Sequence, residues 1–218
     1  MLPYTFEVFS LDHIVSIIVI LFLFIIFLGY NDKIGIEDDS KTFLIVLSIL
    51  MIFLDLSEDL VRIFTGYYSI TKDLPLQLCS IGVYLAAFNL MYRNQTIFNL
   101  IFYWGFVGAT NAILTPDGDL FELRIFFFYS QGYHAALIFA VLWMMIKYDM
   151  RMDYRSILQV VIYTNIIVGL ITIVNYVLDS NYMFLRVMPN SISPFLMGEW
   201  PTYITVSYTH LTLPTNHP

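Results

Sequence analysis

The feature that most constrains this chain is a series of apolar runs, each close to the length that a helix needs to cross a bilayer. A crossing takes about 20 predominantly apolar residues. The chain is 59% hydrophobic and only 12% charged, which is more apolar surface than a soluble core can bury. We therefore predict an all-α, polytopic transmembrane helical bundle with six complete spans and a truncated seventh that begins near Trp200. The predicted complete spans are residues 12–30, 42–66, 75–92, 96–115, 123–147 and 157–178.

The end of the chain differs in character from the rest. Residues 206–218 contain no apolar run and interrupt the seventh span. They resemble the translation of a sequencing adapter, so we predict that they form a non-native tail and exclude them from fold reasoning. The remaining residues, 1–205, are predicted to form a single helical transmembrane domain.

Composition excludes several classes of function. The net charge of −7 comes with no basic face, so we expect no nucleic-acid partner. A single cysteine excludes an internal disulfide and any metal site built from several cysteines. No helix carries histidines and carboxylates at ligand spacing, so we expect no metal and no cofactor. The sequence leaves the oligomeric state open.

The positions of Lys and Arg predict the orientation in the cell membrane. Cytoplasmic loops of membrane proteins carry an excess of these residues. An outside N-terminus places six of them in inner loops and three in outer loops, so we predict that orientation. The inner residues are Lys33, Lys41, Arg93, Lys147, Arg151 and Arg155, and the outer ones are Lys72, Arg124 and Arg186.

With that orientation, polar residues collect in the outer halves of the spans. Polar groups unpaired in hydrocarbon cost several kcal/mol each, so we expect them to line an outward-facing cavity and bind substrate there. Polar contacts that hold helices together are the alternative, since Glu58 and Arg62 stand at i, i+4. The expected substrate-binding residues are His13, Glu58, Arg62, Gln77, Asn111, Thr115 and Gln131.

Cys79, the only cysteine, lies close to a predicted helix start at Pro75. A helix N-terminus favours the thiolate, although the effect fades after the first turn. A nucleophile also needs a base, and His134 and His13 are the histidines available before the tail. A buried cysteine in an apolar helix is more often an inert packing residue, and that alternative stays open.

Seven motifs, in order along residues 10–205, resemble the YwaF family of bacterial membrane proteins. They are Ser10-Leu-Asp-His13, Leu74-Pro-Leu-Gln-Leu-Cys79, Tyr103-Trp-Gly105 with Gly108-Ala109, Leu114-Thr-Pro-Asp117, Gly132-Tyr-His134, Asn181-Tyr-Met-Phe-Leu-Arg186 and Trp200-Pro-Thr-Tyr203.

That resemblance implies an activity. The family includes an animal membrane acyltransferase that moves polyunsaturated acyl chains onto ether lysophospholipids, in which the cysteine of the second motif is implicated. By resemblance, Cys79 is the nucleophile, His134 is the base, and membrane lipids, as phospholipid or lysophospholipid substrates, are the partners. Gln77 and Ser80 stand where the family usually has His and Asp, and glutamine cannot take a proton.

The leading hypothesis is a phospholipid acyltransferase, or a lipid hydrolase that forms a thioester. Asn111, Thr115 or Gln131 would then donate hydrogen bonds to the oxyanion. A small-molecule transporter, or the substrate-binding subunit of one, is the second hypothesis. Its site would be the face of the second span formed by Asp55, Glu58, Asp59 and Arg62. A non-catalytic membrane scaffold is the third.

Overall fold

The computed structural model describes residues 4–29, 41–189, 199 and 201–202, which are helical or irregular and contain no β-strand. The all-α prediction is therefore confirmed for this part of the chain. One helical element overlaps each predicted complete span. These elements are α1 (Leu11–Gly29), α2 (Lys41–Thr65), α3 (Leu78–Tyr92), α4 (Gln95–Leu114), α5 (Arg124–Lys147) and α6 (Ile157–Leu178).

Four of the six helices, α1, α4, α5 and α6, are long and apolar enough to cross a membrane. These four support a multi-pass membrane protein, but the described residues do not show six complete spans. The α2 helix carries Asp55, Glu58, Asp59 and Arg62 in its second half, and α3 has only 15 residues. The predicted seventh span from Trp200 and the predicted tail over residues 206–218 lie outside the described residues.

Contacts between helix ends show that successive helices alternate in direction. At one end of the bundle, the start of α1 meets the end of α4, because His13 Nε2 lies 2.8 Å from the Ile113 carbonyl oxygen. At the same end, Arg62 near the end of α2 donates to Glu122 just before α5, at 2.7 Å. We refer to this end as the Arg62 end.

The opposite end joins α3, α4 and α5. Asn89 Oδ1, near the end of α3, accepts the Asn94 backbone N–H at 2.7 Å. Gln95 Nε2 donates to the Arg151 carbonyl beyond α5 at 2.8 Å. Side-chain amides, one buried at Asn89 and one exposed at Gln95, thus satisfy backbone groups where the chain turns between helices.

The α5 helix lies at the centre of the bundle and packs against α1, α2, α3 and α4. Its Leu137 side chain fills the space between α3 and α4, where two glycines face it. A Cβ atom on Gly105 would lie 3.0 Å from Leu137 Cγ, and one on Gly82 would lie 3.3 Å from Leu137 Cδ2. Only glycine permits this close approach without a shift of the leucine, because Cβ contacts are rarely this short.

The start of α3 differs from the prediction. The helix begins at Leu78 rather than at Pro75, with Gln77 in an extended conformation before it. Cys79 is therefore the second residue of the helix and lies within its first turn. The reason is a long-range contact, since Gln77 Oε1 accepts the backbone N–H of Met183, which follows α6. A contact of that kind leaves no local pattern in the sequence.

Candidate functional site

Cys79 faces a π-helical turn in α4 that spans Phe102–Val107. Its Sγ lies 3.9 Å from the Trp104 carbonyl oxygen, to which the thiol donates. In a regular α-helix the Gly108 N–H would bond to that carbonyl, but here it bonds to the Gly105 carbonyl. Turns of this kind occur frequently at functional sites.

A small open space lies beside the thiol, over Gly108. A Cβ atom on Gly108 would meet Cys79 Sγ at 3.5 Å and no other atom of a neighbouring segment within 4 Å. Gly105 differs, because the Leu137 side chain already occupies the space that a Cβ atom there would need. The glycine at position 108 therefore leaves room for about a methyl group beside the sulfur, within the described residues.

Residues after α6 hold the segment that leads into Cys79. The Tyr182 hydroxyl donates to the Ile70 carbonyl at 2.7 Å and accepts the Leu74 N–H at 3.0 Å. Gln77 Oε1 accepts the Met183 N–H at 2.8 Å. Burial raises the pKa of Tyr182, so the hydroxyl keeps its proton for Ile70. Gln77, predicted to bind substrate, is thus part of the support for Cys79.

His134 in α5 has one nitrogen engaged. Its Nδ1 lies 2.7 Å from the Ser130 carbonyl oxygen. A carbonyl only accepts, so Nδ1 carries the proton and Nε2 presents a lone pair. Nε2 has no hydrogen-bond partner among the described residues. The imidazole lies beside the Tyr133 ring, with centroids 4.2 Å apart. His134 is thus set to accept a proton at Nε2.

His13, the other predicted base, has both nitrogens engaged. Its Nδ1 accepts the Phe9 backbone N–H at 3.0 Å, so Nε2 is the donor to the Ile113 carbonyl at 2.8 Å. The side chain is fully buried. His13 therefore connects the chain before α1 to the end of α4. Of the two predicted bases, only His134 has a ring nitrogen without a hydrogen bond in the described residues.

Cys79 and His134 make no hydrogen bond to each other in the part of the chain that the structure describes. The thiol donates to Trp104 and the imidazole Nδ1 bonds to Ser130. Hydrogen bonds between catalytic groups are commonly longer without substrate and shorten in the complex. The assignment of these two residues as nucleophile and base stays a prediction.

The ion pair expected from the i, i+4 spacing forms and belongs to a larger network. Arg62 Nη2 donates to Glu58 at 3.0 Å, and Nη1 to Glu122 at 2.7 Å. The Asp73 carboxylate lies 3.6 Å from Nε, and Nη2 also donates to the Leu120 carbonyl at 2.7 Å. The guanidinium is buried and spans three segments of the chain. Glu58 and Arg62 thus hold the Arg62 end together.

Asp55 lies about two turns from Arg62 on the same face of α2, with a different set of neighbours. Its side chain is buried, and Oδ2 has no hydrogen-bond partner in the part of the chain that the structure describes. The hydroxyls of Ser80 and Tyr84 on α3 approach its carboxyl group. Sequence reasoning missed this contact, although Ser80 and Tyr84 stand at i, i+4 and therefore share a face of α3.

The remaining predicted binding residues fall into two kinds. Thr115 Oγ1 lies 3.1 Å from both the carbonyl and the side-chain oxygen of Asn111, where it closes the end of α4. Gln131 is only 3% exposed, yet neither its oxygen nor its nitrogen has a hydrogen-bond partner within the described residues. Since buried amides are nearly always paired, Gln131 is the exception that calls for a ligand or water.

Comparison with known proteins gives a single positive result. No curated protein and no solved structure matched the chain. The relation to the YwaF family stays a prediction. The model of the TMEM164 family matches residues 8–215, which is most of the chain. The chain therefore belongs to the TMEM164 family.

Proposed function

We propose that this protein is a membrane-bound phospholipid acyltransferase that carries the acyl group on Cys79. The observation that supports this most strongly is the space over Gly108 beside Sγ, where a Cβ would meet only the sulfur among the described residues. An ester carbonyl can approach the thiol from that side. A cysteine that served only for packing would be enclosed on all sides, as Leu137 is between Gly82 and Gly105.

The first half of the reaction needs a base and then an acid. His134 Nε2 takes the thiol proton, directly or through water, and the thiolate attacks the ester carbonyl of a donor phospholipid. A C–S bond forms, and the C–O bond to the glycerol oxygen breaks. The departing alkoxide takes the proton back from Nε2, which leaves an acyl thioester on Cys79 and a lysophospholipid.

The proposed placement in the cell membrane follows the alternation of the helices. We infer that all six helices cross and that the N-terminus is outside. The Arg62 end then faces the exterior, and Cys79, in the first turn of α3, lies near the depth of lipid ester groups. Asp55 and Arg62 of α2 support this arrangement because both are buried against neighbouring segments rather than turned to lipid.

The test is acyl transfer by purified protein in phospholipid vesicles, with an isotope-labelled acyl donor and a lysophospholipid acceptor. We expect Cys79→Ala to abolish turnover and His134→Ala to lower it by about 10²–10⁴-fold. Thermal unfolding in detergent checks that both variants are folded. Undiminished turnover in Cys79→Ala would refute the thioester mechanism.

A carrier is the second candidate, and one observation favours it. Asp55 has a buried carboxylate oxygen without a partner inside a membrane helix, which is typical of ion and proton pathways. Glu58 and Arg62 are engaged in the network, so Asp55 rather than these two would carry the function. Uptake into vesicles that survives Cys79→Ala and fails with Asp55→Asn would favour the carrier over the enzyme.

A further inference from the structure

Gln131 is a buried side chain whose hydrogen-bonding capacity is unused. It is only 3% exposed, and neither Oε1 nor Nε2 has a hydrogen-bond partner in the ranges that the structure describes. An amide offers two N–H donors and one oxygen acceptor. Leaving all of them unpaired in a low-dielectric interior is costly, so the site fits a polar guest better than it fits the empty protein.

The position of Gln131 on α5 links it to the proposed base. Gln131 and His134 are three residues apart on this helix, so their side chains are neighbours on one face. The Nε2 lone pair of His134 has no partner in the described residues, since Nδ1 holds the bond to Ser130. A proton acceptor and an amide with free donors and a free acceptor therefore stand side by side.

We propose that Gln131 binds the hydroxyl group of the acyl acceptor, a lipid alcohol, and presents it to His134. A hydroxyl is both donor and acceptor, which matches an amide with both functions unused. The inference rests on the proposed acyltransferase function and adds the acceptor half of its site. Water carries the same chemistry, and the two sources differ in product, an acylated lipid or a free fatty acid.

The second half of the reaction then balances. The amide N–H of Gln131 holds the acceptor oxygen, and His134 Nε2 takes the hydroxyl proton as that oxygen attacks the thioester carbonyl. A C–O bond forms and the C–S bond to Cys79 breaks. The thiolate recovers its proton from the imidazolium, which returns both side chains to their starting states.

The experiment compares Gln131→Leu with Gln159→Leu, the same substitution at an exposed position of α6. The readouts are acyl-Cys79 by intact mass, acylated lipid and free fatty acid from the labelled donor, and the acceptor KM. We expect Gln131→Leu to form acyl-Cys79 as the wild type does. Transfer to the lysophospholipid falls at least about tenfold with a raised KM, and the share of free fatty acid rises. Gln159→Leu leaves all four readouts unchanged.

A stability measurement tests separately whether the Gln131 side-chain amide lacks hydrogen bonds to the protein. Removal of an unpaired buried amide is expected to leave the melting temperature of Gln131→Leu in detergent unchanged or raise it by a few degrees. A clearly lower melting temperature would show that the amide bonds to protein, and would overturn the inference whatever the activity.

The remaining outcomes distinguish failure of the Gln131 proposal from failure of the proposed acyltransferase function. An unchanged ratio of transfer to hydrolysis in Gln131→Leu would overturn the alcohol site and leave the thioester mechanism standing. If free fatty acid falls while transfer to the lysophospholipid is unchanged, the amide holds water rather than the lipid alcohol, and the inference is overturned. Absence of acyl-Cys79 in the wild type would overturn both proposals.

Discussion

Arg62 and Gln131 are both buried polar side chains on helices of the bundle, and their surroundings differ sharply. The Arg62 guanidinium donates to Glu58, Glu122 and the Leu120 carbonyl. The Gln131 amide has no hydrogen-bond partner at its oxygen or its nitrogen among the residues described. The comparison teaches that burial alone does not distinguish a side chain that stabilises the fold from one that can bind a ligand. The hydrogen-bond partners of each donor and acceptor atom make that distinction.

The two histidines repeat this difference. His13 uses both ring nitrogens, one for the Phe9 N–H and one for the Ile113 carbonyl. His134 uses only Nδ1. The side chains with unused capacity, Gln131 and His134, share one face of α5. Arg62 and His13, whose hydrogen-bonding groups are engaged, connect segments of the chain to one another.

Breaking the Arg62 network is expected to have the largest effect. Arg62→Met leaves Glu58, Asp73 and Glu122 without their shared cation, and loss of one partner of a buried ion pair costs about 3–5 kcal/mol. Thermal or denaturant unfolding in detergent measures it.

The matched control is Arg151→Met, since the Arg151 and Asp149 side chains are 66% and 84% exposed. An exposed pair of this kind contributes about 0–1 kcal/mol. Equal losses in the two variants would contradict the view that the network holds the Arg62 end.

Two glycines of α4 differ in what an added methyl group would meet, and alanine substitutions at both test that difference. Gly105→Ala places a Cβ within 3.0–3.2 Å of Leu137, and such overpacking costs about 1–3 kcal/mol. Gly108 has ordinary helical backbone angles, and an alanine there would meet only Cys79 Sγ at 3.5 Å. We therefore expect Gly108→Ala to stabilise the protein by up to about 1 kcal/mol and to lower acyl transfer at least tenfold.

Gly169→Ala in α6 is the control for the gain in helix propensity, because an added methyl group there would meet no atom of a neighbouring segment within 4 Å. It is expected to raise stability without changing activity. Full acyl transfer by Gly108→Ala would show that substrate does not reach the sulfur from this side.

The smallest of these effects concerns Tyr182. Tyr182→Phe removes the hydroxyl that holds Ile70 and Leu74, at an expected cost of about 1–2 kcal/mol. Burial raises the pKa of Tyr182, so its contribution is present below the ordinary tyrosine pKa and is lost as pH rises through the raised value.

Unfolding measured along an alkaline pH series tests this. The stability difference between wild type and Tyr182→Phe should shrink as pH increases. A difference that stayed constant, or grew, would contradict the proposed hydrogen bond to Ile70.

Apolar runs predicted where the helices lie, because hydrophobic length is a local property of the chain. Spacing also predicted the Glu58–Arg62 pair. It could not predict that Glu122 and Asp73 join that pair, since their approach depends on how loops pack. For the same reason the late start of α3 at Leu78 was missed.

The site was predicted less well than the fold. The residue types were identified, but their partners decide their roles, and partners come from other helices. Nothing local in the sequence distinguishes His13, whose ring is fully bonded, from His134. The π-helical turn beside Cys79 was also missed, because Gly105 and Gly108 mark a special position without defining its geometry.

The most direct test of the account is the mass of the intact protein after incubation with a phospholipid donor and no acceptor. We predict one added acyl chain, located on Cys79 by peptide mapping, removed by hydroxylamine at neutral pH as a thioester is, and absent from Cys79→Ala. An unmodified Cys79 in protein that still transfers acyl chains would contradict the central claim.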